Sequence, residues 1–187
     1  MRLITILLIS ITGLIFMSKG CGEADQSADE EQQKTAVPGD EAFQQELSDF
    51  FLKYVTLSDA LADDDVEKAR EVRDQLIDEL EPLEADHLQG QRKGLFDKQK
   101  LAMKESLERM NKGENIEEIR TSFEILSEAL LASIRTFGIT GTEAYLIHCP
   151  MAFDDKGANW LHNQDAVLNP YFGEKMLNCG SVREKLN

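Results

Sequence analysis

With 187 residues, 42% of them hydrophobic, the chain has room for one domain with a small appendage and enough apolar material for a packed core. Lys and Arg number 20 against 35 Asp and Glu, a formal net charge of -15. That balance excludes duplex nucleic acid and anionic lipid surfaces as electrostatic partners, because both would be repelled, and favours a cation or a basic partner.

The first segment has the layout of a secretory signal. Arg2 precedes an apolar run from Leu3 to Met17 interrupted only by Thr5, Ser10, Thr12 and Gly13. The run is shorter than the roughly twenty apolar residues that span a bilayer. It ends in Ser18-Lys19-Gly20-Cys21, which resembles the processing box of bacterial lipoproteins, although Lys19 is atypical there. The resemblance implies cleavage after a signal peptide over 1–20 and a lipid on Cys21; a plain signal peptide or an uncleaved anchor remains the alternative. Residues 21–39 contain no aromatic side chain and are rich in Glu, Asp, Gln, Ala and Ser, so they are expected to form a disordered acidic tether. As a flexible coil it would reach on the order of 25 Å.

From Asp40 the apolar residues fall at helical spacing. Phe43, Leu47, Phe50, Phe51, Tyr54, Leu57 and Leu61 make one stripe. Asp64, with Glu67 three residues on, is placed to cap a second helix through Val66, Ala69, Val72, Leu76, Leu80 and Leu83, which Pro82 must kink or end. A third stripe runs through Phe96, Gln99, Met103, Leu107 and Met110, with Gly113 suited to a left-handed cap. Asn115 caps the fourth, through Ile116, Ile119, Phe123, Leu126, Leu130, Ile134 and Phe137, and Gly138 stops it. The pattern predicts an all-α fold, an antiparallel four-helix bundle over 40–138. Met103 and Met110 read as core filler, and His87, among acids in a polar link, as a surface histidine.

Beyond Gly138 the texture changes. Ala144 to Cys149 is a short run of β-forming residues, consistent with one strand, and Asp154-Asp155-Lys156-Gly157 and Asn169-Pro170-Tyr171-Phe172-Gly173 are turn sequences. Residues 139–187 are therefore expected to form a small irregular cap, with Trp160, Tyr171 and Phe172 packing it onto the bundle.

This cap concentrates the sulfur. A helical turn over Glu174 to Cys179, stopped by Gly180, would put Met176 and Cys179 on one face. An extended backbone at Pro150 would put Cys149 and Met151 on one side, with His148 pointing away. Together these half-sites offer four sulfur ligands, Cys149, Met151, Met176 and Cys179, with His148 or His162 as substitutes, a set that favours monovalent copper or silver. Zinc held by Cys149, Cys179 and the two histidines is a second reading. A Cys149–Cys179 disulfide is a third; it would close a loop of about thirty residues and contribute roughly 3–4 kcal/mol. Spacing leaves all three open.

The stretches His148-Cys149-Pro150-Met151-Ala152-Phe153, Gly157-Ala158 with Trp160-Leu161, Asn169 to Gly173, and Lys175 to Gly180 resemble a domain of unknown function. That domain stands at the C-terminus of some Cus-type copper and silver efflux adaptor subunits and alone in bacterial lipoproteins. Cys149-Pro150-Met151 also looks like the short heavy-metal motif of copper ATPases. The resemblance runs from about Asp40 to Leu186 and is most specific between His148 and Cys179. It implies handling of heavy metals outside the cytoplasm, at the cell envelope, facing the periplasm or cell surface. Two departures limit it: the chain lacks an adaptor hairpin or barrel segment, and His162 stands where the family usually has serine. No phosphate loop, nucleophile elbow, zinc-protease helix or haem-attachment motif occurs, so no enzyme is expected. The reading is a lipid-anchored envelope protein that binds monovalent copper or silver as a buffer, or as a donor to an efflux adaptor. The alternative is a disulfide-stapled interaction module with no metal.

Overall fold

The structure, a computed structural model, describes residues 40–186. The signal-like segment, Cys21 and the tether lie outside the described residues. Four helices follow one another, α1 Asp40–Ala62, α2 Val66–Leu80, α3 Gln91–Lys112 and α4 Ile116–Phe137. Each buries the stripe its spacing predicts: Leu47, Phe51, Tyr54, Leu57 and Leu61 on α1, Leu76 on α2, Met103 and Leu107 on α3, and Phe123, Leu126 and Leu130 on α4 are all fully buried. Consecutive helices pack on each other, and α4 returns against α1. No helix among the described residues is long and apolar enough to cross a membrane.

The ends of these helices differ in detail from expectation. Asn115 caps α4 by accepting the Glu118 N–H at 3.0 Å, and α2 ends at Leu80, two residues before Pro82, as the sequence requires. The cap of α2, however, is Asp65, which accepts the Lys68 N–H at 2.9 Å; Asp64 instead takes φ +57° and turns its carboxylate elsewhere. Gly113 is extended (φ −63°, ψ 126°) rather than left-handed, and it permits close packing, since a Cβ there would come within 3.3 Å of Glu118 and Ile119. His87 is half-buried rather than a solvated surface residue, its ring 5.5 Å from that of Phe43 and its Nε2 3.4 Å from Asp40.

The C-terminal region is more regular than an all-α reading with one strand allows. β1 Ala144–Cys149 is the centre of a three-stranded antiparallel sheet of order β2-β1-β3, with β2 Ala158–His162 and β3 Ser181–Leu186 on its edges. The molecule is thus mostly helical with a small antiparallel sheet at its end. β2 escapes an alternation test because it is buried on both faces, and β3 because its first five residues are exposed and mostly polar or charged. The register sets Leu146 against Leu161 and Glu184, and His148 against Asn159. This face looks to α4, since Asn159 donates to Glu128 at 2.9 Å and Arg135 to Glu184 at 2.5 Å. By strand alternation the opposite face carries Ile147, Cys149 and Trp160, all fully buried, and Gly180 of the segment between β2 and β3 lies against the Trp160 ring.

One buried cation fastens that segment to the helices. Arg120 on α4, 4% exposed, donates to the Pro170 carbonyl at 2.7 Å, the Leu61 carbonyl at 2.8 Å and the Asp64 carboxylate at 2.6 Å. Asp64 in turn accepts the Glu174 N–H at 3.0 Å. Gly173 sits on this pair with φ +58°, and a Cβ there would fall on the Asp64 carboxylate and on Arg120 Nη2. Partial burial alone would raise the Asp64 pKa, but the Arg120 guanidinium and the Glu174 N–H overcome it and hold the carboxyl below its ordinary value.

Two outcomes follow from this junction. Gly173→Ala should lose about 2–4 kcal/mol in urea unfolding, combining a left-handed backbone with overlap on a charged pair; a loss under about 0.5 kcal/mol would contradict the packing described. A carboxyl whose folded pKa lies below its unfolded one stabilises above the unfolded value, about 3.9, and ceases to do so as pH falls through the folded value. The urea midpoint of the wild type should therefore drop more steeply below about pH 4 than that of Asp64→Asn; parallel acid limbs would show that the pair contributes no such linkage.

Candidate functional site

Two thiols thirty residues apart in sequence meet on the sheet face turned away from α4. Cys149 is the last residue of the central strand, opposite Ala158, and is fully buried. Cys179 lies two residues before the start of β3, where Ser181 pairs with His148, so the β1–β3 pairing brings Cys179 to the end of the central strand, beside Cys149. Their Sγ atoms lie 3.0 Å apart and both are unbonded thiols. Cys179 is half-buried and forms the solvent-facing member. The hydrogen bond with the Cys149 sulfur, then burial and charge repulsion, push the Cys179 thiol above its ordinary pKa. At neutral pH Cys179 therefore retains a proton that an incoming cation must displace.

The backbone around Cys179 is held on both sides. A 3-10 turn, Gly173–Met176, leads into it, and the Cys179 N–H donates to the Met176 carbonyl at 2.9 Å. Gly180 follows with φ +142°, where a Cβ would meet the Trp160 ring at 2.7 Å. Only glycine lets the chain pass so close to the indole.

The remaining sequence candidates are placed differently. Met176 is half-buried at the end of its 3-10 turn, three residues before Cys179. Met151 is 47% exposed, and its backbone is helical (φ −94°, ψ −8°) rather than extended, because β1 ends at Cys149 and Pro150 enters a turn. The shared-side argument for Cys149 and Met151 therefore loses its premise. That turn continues through Phe153, Asp154 and Asp155 with φ between +53° and +61°, a left-handed stretch unusual for residues with side chains, and Phe153 packs on the Tyr171 ring at 5.3 Å. His148 alternates onto the opposite sheet face from Cys149, where Nδ1 lies 2.9 Å from Asn159 Oδ1 and Gly157 leaves room for the ring. His162 stands at the other end of β2 from Ala158, buried, with Nε2 3.2 Å from Asp59 and Nδ1 accepting the Gln164 N–H at 3.0 Å. Neither histidine joins the thiols. Among the described residues no three His, Cys, Asp or Glu side chains gather to hold a metal ion.

Sequence reasoning missed the residues that build the site's frame. Asn169 is fully buried and ties the segment to itself, while Arg120 and Asp64 tie it to the helices. A signal for Asn169 existed in Asn169-Pro170, a turn-initiating pair whose side-chain oxygen can accept backbone N–H groups two and three residues on. None existed for Arg120, one of 20 basic residues.

Comparison with known proteins adds a likeness to one family model. A family model described as a protein of unknown function (DUF3347) matches residues 50–142. The match spans most of α1 and all of α2, α3 and α4, stops two residues before β1, and names no activity; Cys149 and Cys179 lie beyond it. No curated protein and no solved structure matches the chain. What the chain is similar to is thus a helical region of unassigned role.

Proposed function

We propose that this is an envelope lipoprotein, anchored through Cys21, in which a four-helix bundle carries a dithiol that binds one monovalent copper or silver ion. It acts as a buffer, or as a donor to an efflux adaptor, rather than as an enzyme. The observation that carries the reading is the 3.0 Å approach of Cys149 and Cys179 from two distant segments. Thiolates select soft ions, and a pair with no third charged or imidazole donor suits an ion content with few ligands. Zinc, which is almost always four-coordinate in structural sites, is poorly served.

The two cysteines divide the work. Cys149 is fixed in the central strand; Cys179, half-exposed on a loop, offers the entry point. With metal–thiolate bonds of roughly 2.3 Å, a linear S–metal–S unit needs the sulfurs to open to ~4.6 Å, and rotation of the Cys179 side chain about Cα–Cβ is the movement that would supply it. A two-coordinate ion needs no further donor; Met176, half-buried three residues before Cys179, and Met151, exposed after Pro150, are the thioethers near enough in sequence to add to it.

The same short approach favours a second reading, a disulfide-stapled interaction module without metal. Closing the bond would cross-link about thirty residues and stabilise by roughly 3–4 kcal/mol. Metal content and thiol count on one natively isolated sample separate the two.

The direct test is titration of the reduced protein with monovalent copper against a competing chelator. One ion per chain is expected, lost when Cys149→Ser and Cys179→Ser are combined. Because the ion displaces thiol protons, apparent affinity should rise by up to about tenfold per pH unit for each proton released. Equal affinity in the double variant, or no competition at all, sinks the ion reading. An intact mass lower by two hydrogens, with no free thiol after native isolation, supports the staple instead.

A further inference from the structure

The residue that stands out beside the dithiol is Asn169. It is fully buried, and its side chain makes three hydrogen bonds: Oδ1 accepts the N–H groups of Tyr171 at 2.8 Å and Phe172 at 3.2 Å, while Nδ2 donates to the Cys179 carbonyl at 2.6 Å. Its own N–H reaches the Leu177 carbonyl at 2.7 Å and its carbonyl takes the Gly173 N–H at 3.1 Å. The amide orientation is dictated by its partners, since two donors face one end and a carbonyl faces the other.

We propose that Asn169 is the positioning residue of the dithiol, setting where Cys179 Sγ stands relative to Cys149 Sγ. Both backbone groups of Cys179 are committed, the N–H to Met176 and the carbonyl to Asn169, which leaves its side chain little freedom beyond rotation about Cα–Cβ. Without the Asn169 amide, the carbonyl would be left unpaired in a partly buried site and the chain from Leu177 to Gly180 would have to find another arrangement. The two sulfurs would then meet less often, although each would still be present. The inference rests on the pairing of Cys149 with Cys179 used above, but not on any ion.

The experiment uses the dithiol–disulfide equilibrium of the full chain against glutathione, a direct measure of how often the two thiols meet. Asn169→Ala should lower this effective thiol concentration at least roughly tenfold while helix content by circular dichroism is kept. Tyr171→Phe is the structural control. It removes the hydrogen bond from the Tyr171 hydroxyl to the Asn159 carbonyl without touching Cys179, and should leave the equilibrium within about twofold. Asn169→Asp is a second variant of near-identical shape: its carboxylate can still accept the N–H groups of Tyr171 and Phe172 but cannot donate to the Cys179 carbonyl, so it should lower the equilibrium in the same direction as Asn169→Ala. An unchanged equilibrium in Asn169→Ala, an equal change in Tyr171→Phe, or loss of the helices in the Asn169 variants each overturns the proposal. Failure of the ion reading would appear separately, as an absence of copper binding in a chain whose thiols still pair.

Discussion

The buried guanidinium of Arg120 is the constraint on which the C-terminal region depends. A charge removed from water must be surrounded by acceptors, and these come from three separate stretches of chain: Leu61 at the end of α1, Asp64 in the turn before α2, and Pro170 in the segment before β3. Meeting all three at once lays that segment against the helices. It also strengthens the pairing of the Leu61 carbonyl, in the last turn of α1, which otherwise takes only the Asp64 N–H at 3.4 Å. Cys179 follows nine residues after Pro170, so the anchor that neutralises Arg120 also limits where the second sulfur can stand.

The sheet is docked by an analogous economy of polar groups. β2 is an edge strand, and its outward-facing backbone groups would be exposed to water or left unpaired. Two tyrosine hydroxyls meet them instead. Tyr54 of α1 accepts the Leu161 N–H at 3.2 Å, and Tyr171 donates to the Asn159 carbonyl. Tyr54 passes its own proton to Ser127 at 2.6 Å, because the Ser127 hydroxyl is already committed to the Phe123 carbonyl. Burial pushes both phenols well above their ordinary pKa, so they remain neutral donors and acceptors at any physiological pH. The other edge, β3, is left open but carries Arg183, Glu184 and Lys185, charges that discourage pairing with a further strand.

How much of this the sequence discloses depends on whether a residue acts through its neighbours in sequence or through its neighbours in space. The helices are legible because a single apolar face repeats with the helical period, and Asn115 and Pro82 act on adjacent backbone. Asp64 and Asp65 show the limit. Either can cap α2 by local rules, and the choice is made by Arg120, more than fifty residues away. The left-handed cap expected at Gly113 gives way to the close approach of α4. β2 and β3 fail a periodicity test for opposite reasons, one being buried on both faces and the other exposed along most of its length. In the site, the thiols declare themselves as a pair by scarcity, but their separation is a product of the β1–β3 register, and Pro150 fits a turn as readily as an extended chain.

The acidity of the chain bears on what the dithiol can select. A net charge of -15 gathers cations of every kind near the surface, so attraction alone discriminates little between soft and hard ions. In the proposed ion-binding role, selection would have to come from the donors at the point of capture. Cys149 and Cys179 bring sulfur, and no cluster of His, Cys, Asp or Glu large enough to suit a harder ion forms among the described residues. Charge balance by itself would favour a divalent ion, because two thiolates neutralise two positive charges. Ligand number argues the other way: a divalent ion that prefers four donors would keep two positions open, whereas an ion satisfied by two sulfurs leaves none. For a pair of thiols fixed between a central strand and a hydrogen-bonded loop, the donor count is set by the fold and the charge is not, so coordination number is the stronger discriminator.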